Sequence, residues 1–321
     1  MFFHFVRYRF ICLLLILCSF SAHAAFPDRP IRIVVPYPPG GGADILARLI
    51  GQKLSVSWSQ PVIIENRPGA DTQIGTEVVA KAAADGYTLG MVTPTVTINK
   101  TFYPKSNYDL LRDLRAVAMV GSSPFVLVTN PSGGYKTLQE FIRSAKANPE
   151  KMNFSSSSSI TFVAGEAFKR AVGISAQHIP YKGSAPAVAA VVAGDVQFCF
   201  DTVLITKPFI DSGMLRALGV TTKTRVSGLD SVPTLIEAGV PDFEFSSWYG
   251  FVAPSGVPDE IVEKYNTEIN KILALPEVKM RVTNMGGIVL PMSADAFSAI
   301  LKSDVSKYET LIKTANLKPR D

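Results

Sequence analysis

Apolar segments of strand length alternate with amphipathic segments along most of this chain. Residues 31–35 form a β-rich apolar run, and after a turn of proline and glycine the apolar positions of residues 45–54 recur with helical spacing. Residues 61–64 form the next apolar run. A strand, a helix and a strand of these lengths predict a βαβ unit, with parallel strands and a right-handed crossover.

The same alternation continues toward the middle of the chain. The sequence predicts a helix over residues 74–84, a strand over 87–92, and two short strands within 117–128 on either side of Gly121, Ser122, Ser123 and Pro124. Glycine and proline interrupt regular structure. We therefore expect the chain to cross between two lobes at this cluster.

A second α/β series follows, and its first helix begins at Thr137, which has Glu140 at the spacing of a capping box. Further strands are predicted near Met152 and over residues 177–181, 196–200, 215–220 and 243–253. Further helices are predicted over residues 163–172, 185–193, 234–238, 258–273 and 293–315, and we expect this tail to pack back on the first lobe. The pattern predicts an α/β fold with residues 25–125 and 248–321 in one lobe and residues 126–247 in the other.

The first 24 residues have the pattern of a secretory signal peptide. Arg7 and Arg9 precede an apolar run over residues 10–17, and Ala22 and Ala24 supply small residues for cleavage. The run is shorter than the roughly 20 residues that a membrane-spanning helix needs. We therefore expect export to the periplasm, with cleavage near Ala24.

Few residues suited to metal or nucleophilic chemistry lie beyond this leader. Of three cysteines and three histidines, only Cys199 and His178 follow residue 24, which excludes a disulfide within the processed chain and argues against a Cys- or His-rich zinc site. The chain has a net charge of +5, but its lysines and arginines form no block of the kind typical of nucleic-acid binding. We expect no cofactor, no metal and no nucleic-acid partner.

One loop between a predicted strand and helix is rich in glycine, and it comprises Tyr37, Pro38, Pro39, Gly40, Gly41, Gly42, Ala43 and Asp44. Bare backbone N–H groups at such a helix start attract an anion. The alternative is a tight turn in which Asp44 only favours the first helical turn. The spacing matches neither a dinucleotide-binding nor an ATP-binding glycine motif.

A serine-rich loop occupies the corresponding place in the second series. Ser155 to Ser159, with Thr161, lie between a predicted strand and helix, where hydroxyls and free amides can face an anion from the opposite lobe. The alternative is a flexible surface loop. A nucleophilic serine is a weaker hypothesis, because the chain has no G-x-S-x-G elbow and His178 is the imidazole that remains.

Polar residues also follow other predicted strands. Thr93, Thr95 and Thr97 follow one, and Asp201 and Thr202 follow another. Open α/β sheets bind ligands at the carboxyl ends of their strands. Each residue alone is typical of a turn or cap, but the four loops together indicate a cleft between the lobes.

Six motifs follow one another along nearly the whole processed chain. They are Pro36-Tyr37-Pro38-Pro39-Gly40-Gly41-Gly42-Ala43-Asp44, Glu65-Asn66-Arg67-Pro68-Gly69-Ala70, Asp85-Gly86-Tyr87-Thr88-Leu89, Pro180-Tyr181-Lys182-Gly183, Val232-Pro233-Thr234 and Gly250-Phe251-Val252-Ala253-Pro254. In these motifs and their order the chain resembles the Bug family, the extracytoplasmic solute receptors of tripartite tricarboxylate transporters.

The resemblance implies a type II periplasmic binding-protein fold whose two lobes close on a carboxylated solute. It also implies ligand contacts at Tyr37, Gly41, Gly42, Ala43, Asp44, Thr93 and Thr95 in the first lobe, and at Ser156, Ser157, Ser158, Ser159, Thr161 and Asp201 in the second.

Two departures from the family pattern bear on the ligand. Serines and Phe162 replace the glycines and histidine usual in the second-lobe loop, and Asp71-Thr72-Gln73 replaces Gly-Gly-Asn. The second change places a carboxylate near the cleft rim, which suits a ligand that carries an amine.

We therefore expect a non-catalytic, monomeric receptor. Its ligand is a small carboxylate, namely a di- or tricarboxylate, an acidic amino acid or an aromatic carboxylate, and its partners are the permease subunits of a tripartite tricarboxylate transporter. One alternative is a ligand-dependent partner of a membrane sensor protein. A periplasmic hydrolase that uses the serine run is the third hypothesis.

Overall fold

The computed structural model describes residues 26–319, so the predicted signal peptide lies outside the described residues. The strands are β1 (Ile31–Val35), β2 (Val62–Asn66), β3 (Thr88–Val92), β4 (Leu114–Thr129), β5 (Asn153–Ser156), β6 (Gln177–Pro180), β7 (Phe198–Thr202), β8 (Arg216–Val220), β9 (Ser246–Pro254) and β10 (Ile288–Val289). The helices are α1 (Gly42–Trp58), α2 (Gln73–Ala80), α3 (Thr95–Phe102), α4 (Leu110–Asp113), α5 (Leu138–Ala147), α6 (Ser159–Val172), α7 (Ser184–Ala193), α8 (Val203–Asp211), α9 (Asp259–Ala274), α10 (Pro276–Asn284) and α11 (Ala294–Thr314).

The described strands form one sheet in the order β2-β1-β3-β9-β4-β7-β5-β6, and β8 and β10 also pair with β4. β1 lies parallel to β2 and β3, and β5 lies parallel to β6 and β7. The two parallel groups confirm the predicted α/β fold. We call the group around β1 lobe 1 and the group around β5 lobe 2.

The lobes are joined by β4 and β9, which run antiparallel through the middle of the sheet. Pro124 pairs with Ser246 of β9, whereas the next residue, Phe125, pairs with Thr202 of β7. The prediction of two short strands here was wrong. Two register shifts against β9 lie before the cluster, between Ala116 and Ala118 and between Met119 and Gly121, and the residues from Gly121 to Pro124 then pair with β9 in continuous register. The change of partner lies at the glycine and proline cluster, and the crossing point and the lobe boundaries stay predictions.

Local helix signals were reliable where a cap was present and weaker elsewhere. Thr137 is the N-cap of α5 and accepts a hydrogen bond from the N–H of Glu140, as predicted. The helix predicted over residues 234–238 is wrong. Thr234 and Glu237 exchange hydrogen bonds around a single turn there, and Gly239, with φ of +89°, ends it. The sequence pattern did not predict α3, α4, α8 or α10.

The last helix, α11, contacts both lobes. Phe297 near its start packs edge-on against Trp248 of β9, in agreement with the expected return to lobe 1. Tyr308 and Ile312 near its end belong instead to the phenylalanine-rich core of lobe 2. Among residues 26–319, no helix combines the length and apolarity needed to cross a bilayer.

Candidate functional site

An inner cavity of about 60 Å³ lies where the loops of both lobes meet. Lobe 1 contributes Tyr37, Pro38, Pro39, Gly41, Gly42, Ala43 and Thr93; lobe 2 contributes Ser157, Ser158, Ile160, Thr161, Gly183, Ser184, Ala185, Pro186, Asp201 and Thr202; and the connecting strands β4 and β9 contribute Phe125, Ser247 and Tyr249.

The starts of four helices line this cavity. Gly41 is the N-cap of α1, Ser158 of α6, Gly183 of α7 and Thr202 of α8, and all four residues lie in its wall. The first N–H groups of a helix have no acceptor within the helix and carry partial positive charge. Four such ends around one cavity make it suited to an anion.

The glycine loop is shaped by the side chain of Asp44, which is 3% exposed. Its carboxylate accepts hydrogen bonds from Gly40 N (3.0 Å), Arg48 Nε (3.1 Å) and Asn66 Nδ2 (2.9 Å). Burial acts to raise the pKa of Asp44, but the bonds from Arg48, Gly40 and Asn66 outweigh it and hold that pKa below its usual value. Asp44 therefore fixes the loop, and its side chain is engaged by the protein.

Tyr37 and Thr93 bring hydroxyl groups to the lobe 1 wall. Tyr37 Oη and Thr93 Oγ1 lie 2.6 Å apart. Burial, the largest cause, raises the pKa of Tyr37 well above its usual value, so the phenol keeps its proton at neutral pH. Thr95 is fully buried, and its N–H points to Thr93 Oγ1 at 3.4 Å, so Thr95 supports the wall from behind.

The serine loop is organised by Thr161. Its Oγ1 accepts hydrogen bonds from the N–H groups of Ser157 (2.9 Å) and Ser158 (3.1 Å), and it donates to Ser158 O. The Oγ of Ser157 remains directed toward Asp201, at 3.2 Å from its Oδ2. The loop therefore presents hydroxyl groups to the cavity from a fixed backbone.

Asp201 places a buried carboxylate in the wall of the same cavity. It accepts hydrogen bonds from Thr202 N (2.8 Å), Ser184 Oγ (3.1 Å) and Ser157 Oγ (3.2 Å). Burial raises the pKa of Asp201 to about 6, although these hydrogen bonds oppose it. The carboxyl group of Asp201 therefore changes its protonation state close to neutral pH. When ionised, it carries a negative charge like that of a bound carboxylate.

An outer cavity of about 490 Å³ adjoins the inner one. It is lined by Pro36, Tyr37, Pro38, Pro68, Gly69, Ala70, Asp71, Thr72, Ser156, Ser157, Ser158, His178, Pro180, Tyr181, Lys182 and Gly183. Pro38 and Gly183 lie in the walls of both cavities. A Cβ on Gly183 would lie 3.0 Å from Pro38 Cγ, so the two lobes are in close contact there.

The structure brings most of the predicted site residues to the inner cavity, namely Tyr37, Gly41, Gly42, Ala43, Thr93, Ser157, Ser158, Thr161 and Asp201. It places Asp44, Thr95 and Ser159 outside both linings, and Ser156 in the outer cavity. Gly183 and Ser184 lie between the end of β6 and the start of α7. This is the same strand-to-helix position that marks the glycine-rich and serine-rich loops in the sequence. Phe125 and Ser247 lie inside strands, where no local signal marks them.

Ser156 and His178 form the contact closest to nucleophilic chemistry. Ser156 Oγ lies 2.7 Å from His178 Nε2. Ser156 ends the regular strand β5, whereas an activated serine of the elbow type lies on a sharp strand-to-helix turn. Across residues 26–319, no group of three or more His, Cys, Asp or Glu residues is placed to hold a metal ion.

The sequence is similar to a described protein family and to known proteins. The model of a family described as "Tripartite tricarboxylate transporter family receptor" matches residues 46–317. A "UPF0065 protein in tcbD-tcbE intergenic region" of Pseudomonas sp. (strain P51) is 36% identical over 90% of this chain and 87% of its own length. Protein BugT of Bordetella pertussis is 34% identical over 91% of each chain.

Solved structures show the same similarity. The R. palustris protein Rpa4515, solved with adipate, is 32% identical, with a TM-score of 0.89 over 92% of this chain and 100% of that one. The periplasmic binding protein BugD is 28% identical, with a TM-score of 0.88 over the same shares. MatC of Rhodopseudomonas palustris, solved with bound malate, is 28% identical, with a TM-score of 0.84 over 89% of this chain and 100% of that one.

Proposed function

This chain belongs to the family of tripartite tricarboxylate transporter receptors, and from that premise we propose that it is a periplasmic solute-binding protein that captures a small carboxylate for the permease of such a transporter. The observation that carries the proposal is the meeting of four helix starts, those of α1, α6, α7 and α8, at the inner cavity. Two solved relatives, which hold adipate and malate, support a carboxylate ligand.

Reversible capture is within reach of this site without any covalent step. A micromolar dissociation constant corresponds to a binding free energy of about −8 kcal/mol. The helix ends supply partial positive charge, while Tyr37, Thr93 and Ser157 supply hydroxyl groups around the same cavity. Residues 25–125 and 248–321 would close against residues 126–247 over the ligand, with β4 and β9 as the connection.

Calorimetry and thermal-shift measurements on the processed chain test the ligand class. The panel contains mono-, di- and tricarboxylates, acidic amino acids and aromatic carboxylates, with amides of the same skeletons as uncharged controls. We expect at least one carboxylate to bind near micromolar concentration and its amide not to bind. Neither heat nor a thermal shift from any member would overturn the proposal.

Uptake in cells tests the permease partnership separately. Cells that express a permease of this transporter type together with the chain should accumulate the labelled ligand, and cells without the chain should not. Binding in solution with no dependence of uptake on the chain would reject the transport role and leave the ligand class standing.

A further inference from the structure

Asp71 of lobe 1 reaches across the cleft to the first residue of α6. Its Oδ1 accepts a hydrogen bond from Ser159 N at 3.2 Å, and its Oδ2 accepts one from Ser159 Oγ. The start of a helix is where a negative charge is most stabilised. The carboxylate of Asp71 thus takes both donors that Ser159 offers, in the position that a bound anion would use.

The segment that carries Asp71 has an unusual backbone held by lobe 1. Gly69, Ala70, Asp71 and Thr72 all have positive φ, of 135°, 43°, 50° and 78°. The side-chain amide of Asn99, on α3, donates to Asp71 O and lies 3.4 Å from Thr72 Oγ1. Such conformations persist where the surroundings fix them, and they cluster at ligand clamps. The contact with Ser159 is therefore made by a side chain presented from a fixed loop.

Asp71 is also a wall residue of the outer cavity. Four proline rings and the tyrosines Tyr37 and Tyr181 give this wall an apolar part. The other groups there that can carry charge are His178, whose Nε2 is hydrogen-bonded to Ser156, and Lys182, which is exposed. Burial is the main cause of the raised pKa of Tyr37, and the charge of Asp71 adds to it, so that charge acts on the cleft interior.

We propose that Asp71 determines the ligand class, because its carboxylate, bonded to Ser159 at the start of α6, lies in the wall of the outer cavity. The guest then carries one carboxylate in the inner cavity, which Ile160 and Thr161 of α6 also line, and a neutral or cationic end in the outer cavity. This inference rests on the proposed function. A second carboxylate in the outer cavity would meet the charge of Asp71 in its wall. It would gain nothing from the donors of Ser159, which bond to Asp71 and lie outside the linings of both cavities. An apolar body matches the proline and tyrosine wall, and an ammonium group would face an acceptor.

Three ligands with the same six-carbon chain separate these cases. Hexanoate ends in a methyl group, 6-aminohexanoate in an ammonium group, and adipate, the ligand of a solved relative, in a second carboxylate. Calorimetry on the wild-type chain should give affinities for hexanoate and 6-aminohexanoate that exceed the affinity for adipate about tenfold or more. In Asp71→Asn the affinity for adipate, relative to the affinities for hexanoate and 6-aminohexanoate, should rise about tenfold.

Asp71→Asn is a conservative change, because asparagine tolerates positive φ and keeps one oxygen for Ser159. Asp242→Asn is the matched control, since Asp242 is an exposed aspartate with φ of +56° that lies outside both cavities. The control should leave all three affinities unchanged.

The outcomes separate this inference from the proposed function. Equal wild-type affinity for adipate and hexanoate, or an Asp71→Asn variant that weakens all three ligands by the same factor, overturns the role of Asp71 in selecting the ligand while carboxylate capture stands. If neither these ligands nor any other carboxylate binds, the proposed function fails and this inference fails with it.

Discussion

Gly42 at the start of α1 lies against Tyr249 of β9. A Cβ built on Gly42 would be 2.5 Å from the hydroxyl oxygen of Tyr249, which is closer than such atoms approach in folded proteins. The glycine loop of lobe 1 and the strand that links the lobes therefore fit together only because this position has no side chain. Both residues line the inner cavity, so their contact sets its shape.

The first prediction concerns this contact. Gly42→Ala should lower carboxylate affinity about tenfold, or by about 1.4 kcal/mol, because Tyr249 or the start of α1 must move. Gly41→Ala is the matched control, since its Cβ would have no neighbour nearer than 3.9 Å. Calorimetry on both variants makes the comparison, and equal losses in the two would contradict the importance of the Tyr249 contact.

A second prediction concerns closure of the cleft between Pro38 and Gly183. Gly183→Ala should weaken binding several-fold more than Gly213→Ala. Both glycines have positive φ, of 101° and 74°, so both variants carry a backbone penalty of about 1–3 kcal/mol, and it is larger at Gly183, whose ψ of 169° lies in a region essentially restricted to glycine. The Cβ at Gly213 meets nothing within 4 Å, whereas the one at Gly183 meets Pro38 of the opposite lobe. Thermal melts measure the backbone penalty of each variant, and calorimetry measures the loss of binding in each.

A third prediction concerns Asp201 and pH. Its pKa is about 6 in the folded chain and 3.8 ordinarily, so the folded state binds the extra proton between these values. The contribution of Asp201 to stability should therefore fall as pH rises from about 4 to about 6 and stay constant above that. Two pKa units correspond to about 3 kcal/mol.

Urea unfolding of the wild type and of Asp201→Asn at pH 4 to 8 measures this contribution. The stability of the wild type minus that of the variant should fall by about 3 kcal/mol over this range. Other titrating groups contribute to both curves and cancel in the difference. A constant difference across the range would show that folding does not raise the pKa of Asp201.

A fourth prediction concerns Asp44, whose shift has the opposite sign. Because its folded pKa lies below the usual value, its contribution to stability is present at neutral pH and is lost as pH falls below about 4. Asp44→Asn should destabilise the chain by about 1–3 kcal/mol at pH 7, since Gly40, Arg48 and Asn66 lose a charged acceptor. The loss should shrink in acid, as urea unfolding at pH 7 and pH 3 would measure.

Asp211→Asn serves as the control for Asp44. Asp211 pairs with Lys207 one helical turn away and its side chain is about half exposed, so its removal should change stability little at either pH. If Asp44→Asn behaved like this control, the carboxylate would not be what holds the glycine loop.

The local parts of the fold and of the site could be predicted from the sequence. The loop before α1 and the loop before α6 each join a strand to a helix, and the geometry of that join places free N–H groups at the carboxyl end of the strand. The residues needed for it are neighbours in the sequence, as with Thr137 and Glu140 at the start of α5. The predicted βαβ units were correct for the same reason.

The orientation of individual side chains could not be predicted in this way. Asp44 has the right type and position for a ligand contact, but its carboxylate is engaged by Asn66, which is 22 residues away. Ser159 belongs to the serine run, but it bonds to Asp71, which is 88 residues away. β4 continues through a glycine and proline cluster because β9, from the far end of the chain, pairs with it.

The sequence by itself determined the α/β architecture, the family resemblance and the helix starts that can hold an anion, because each depends on residues close together along the chain. The tertiary structure decided which helix starts share one cavity, which polar groups face it and which are used to hold the protein together. Those features depend on contacts between residues that are distant in sequence, and periodicity and spacing carry no information about such contacts.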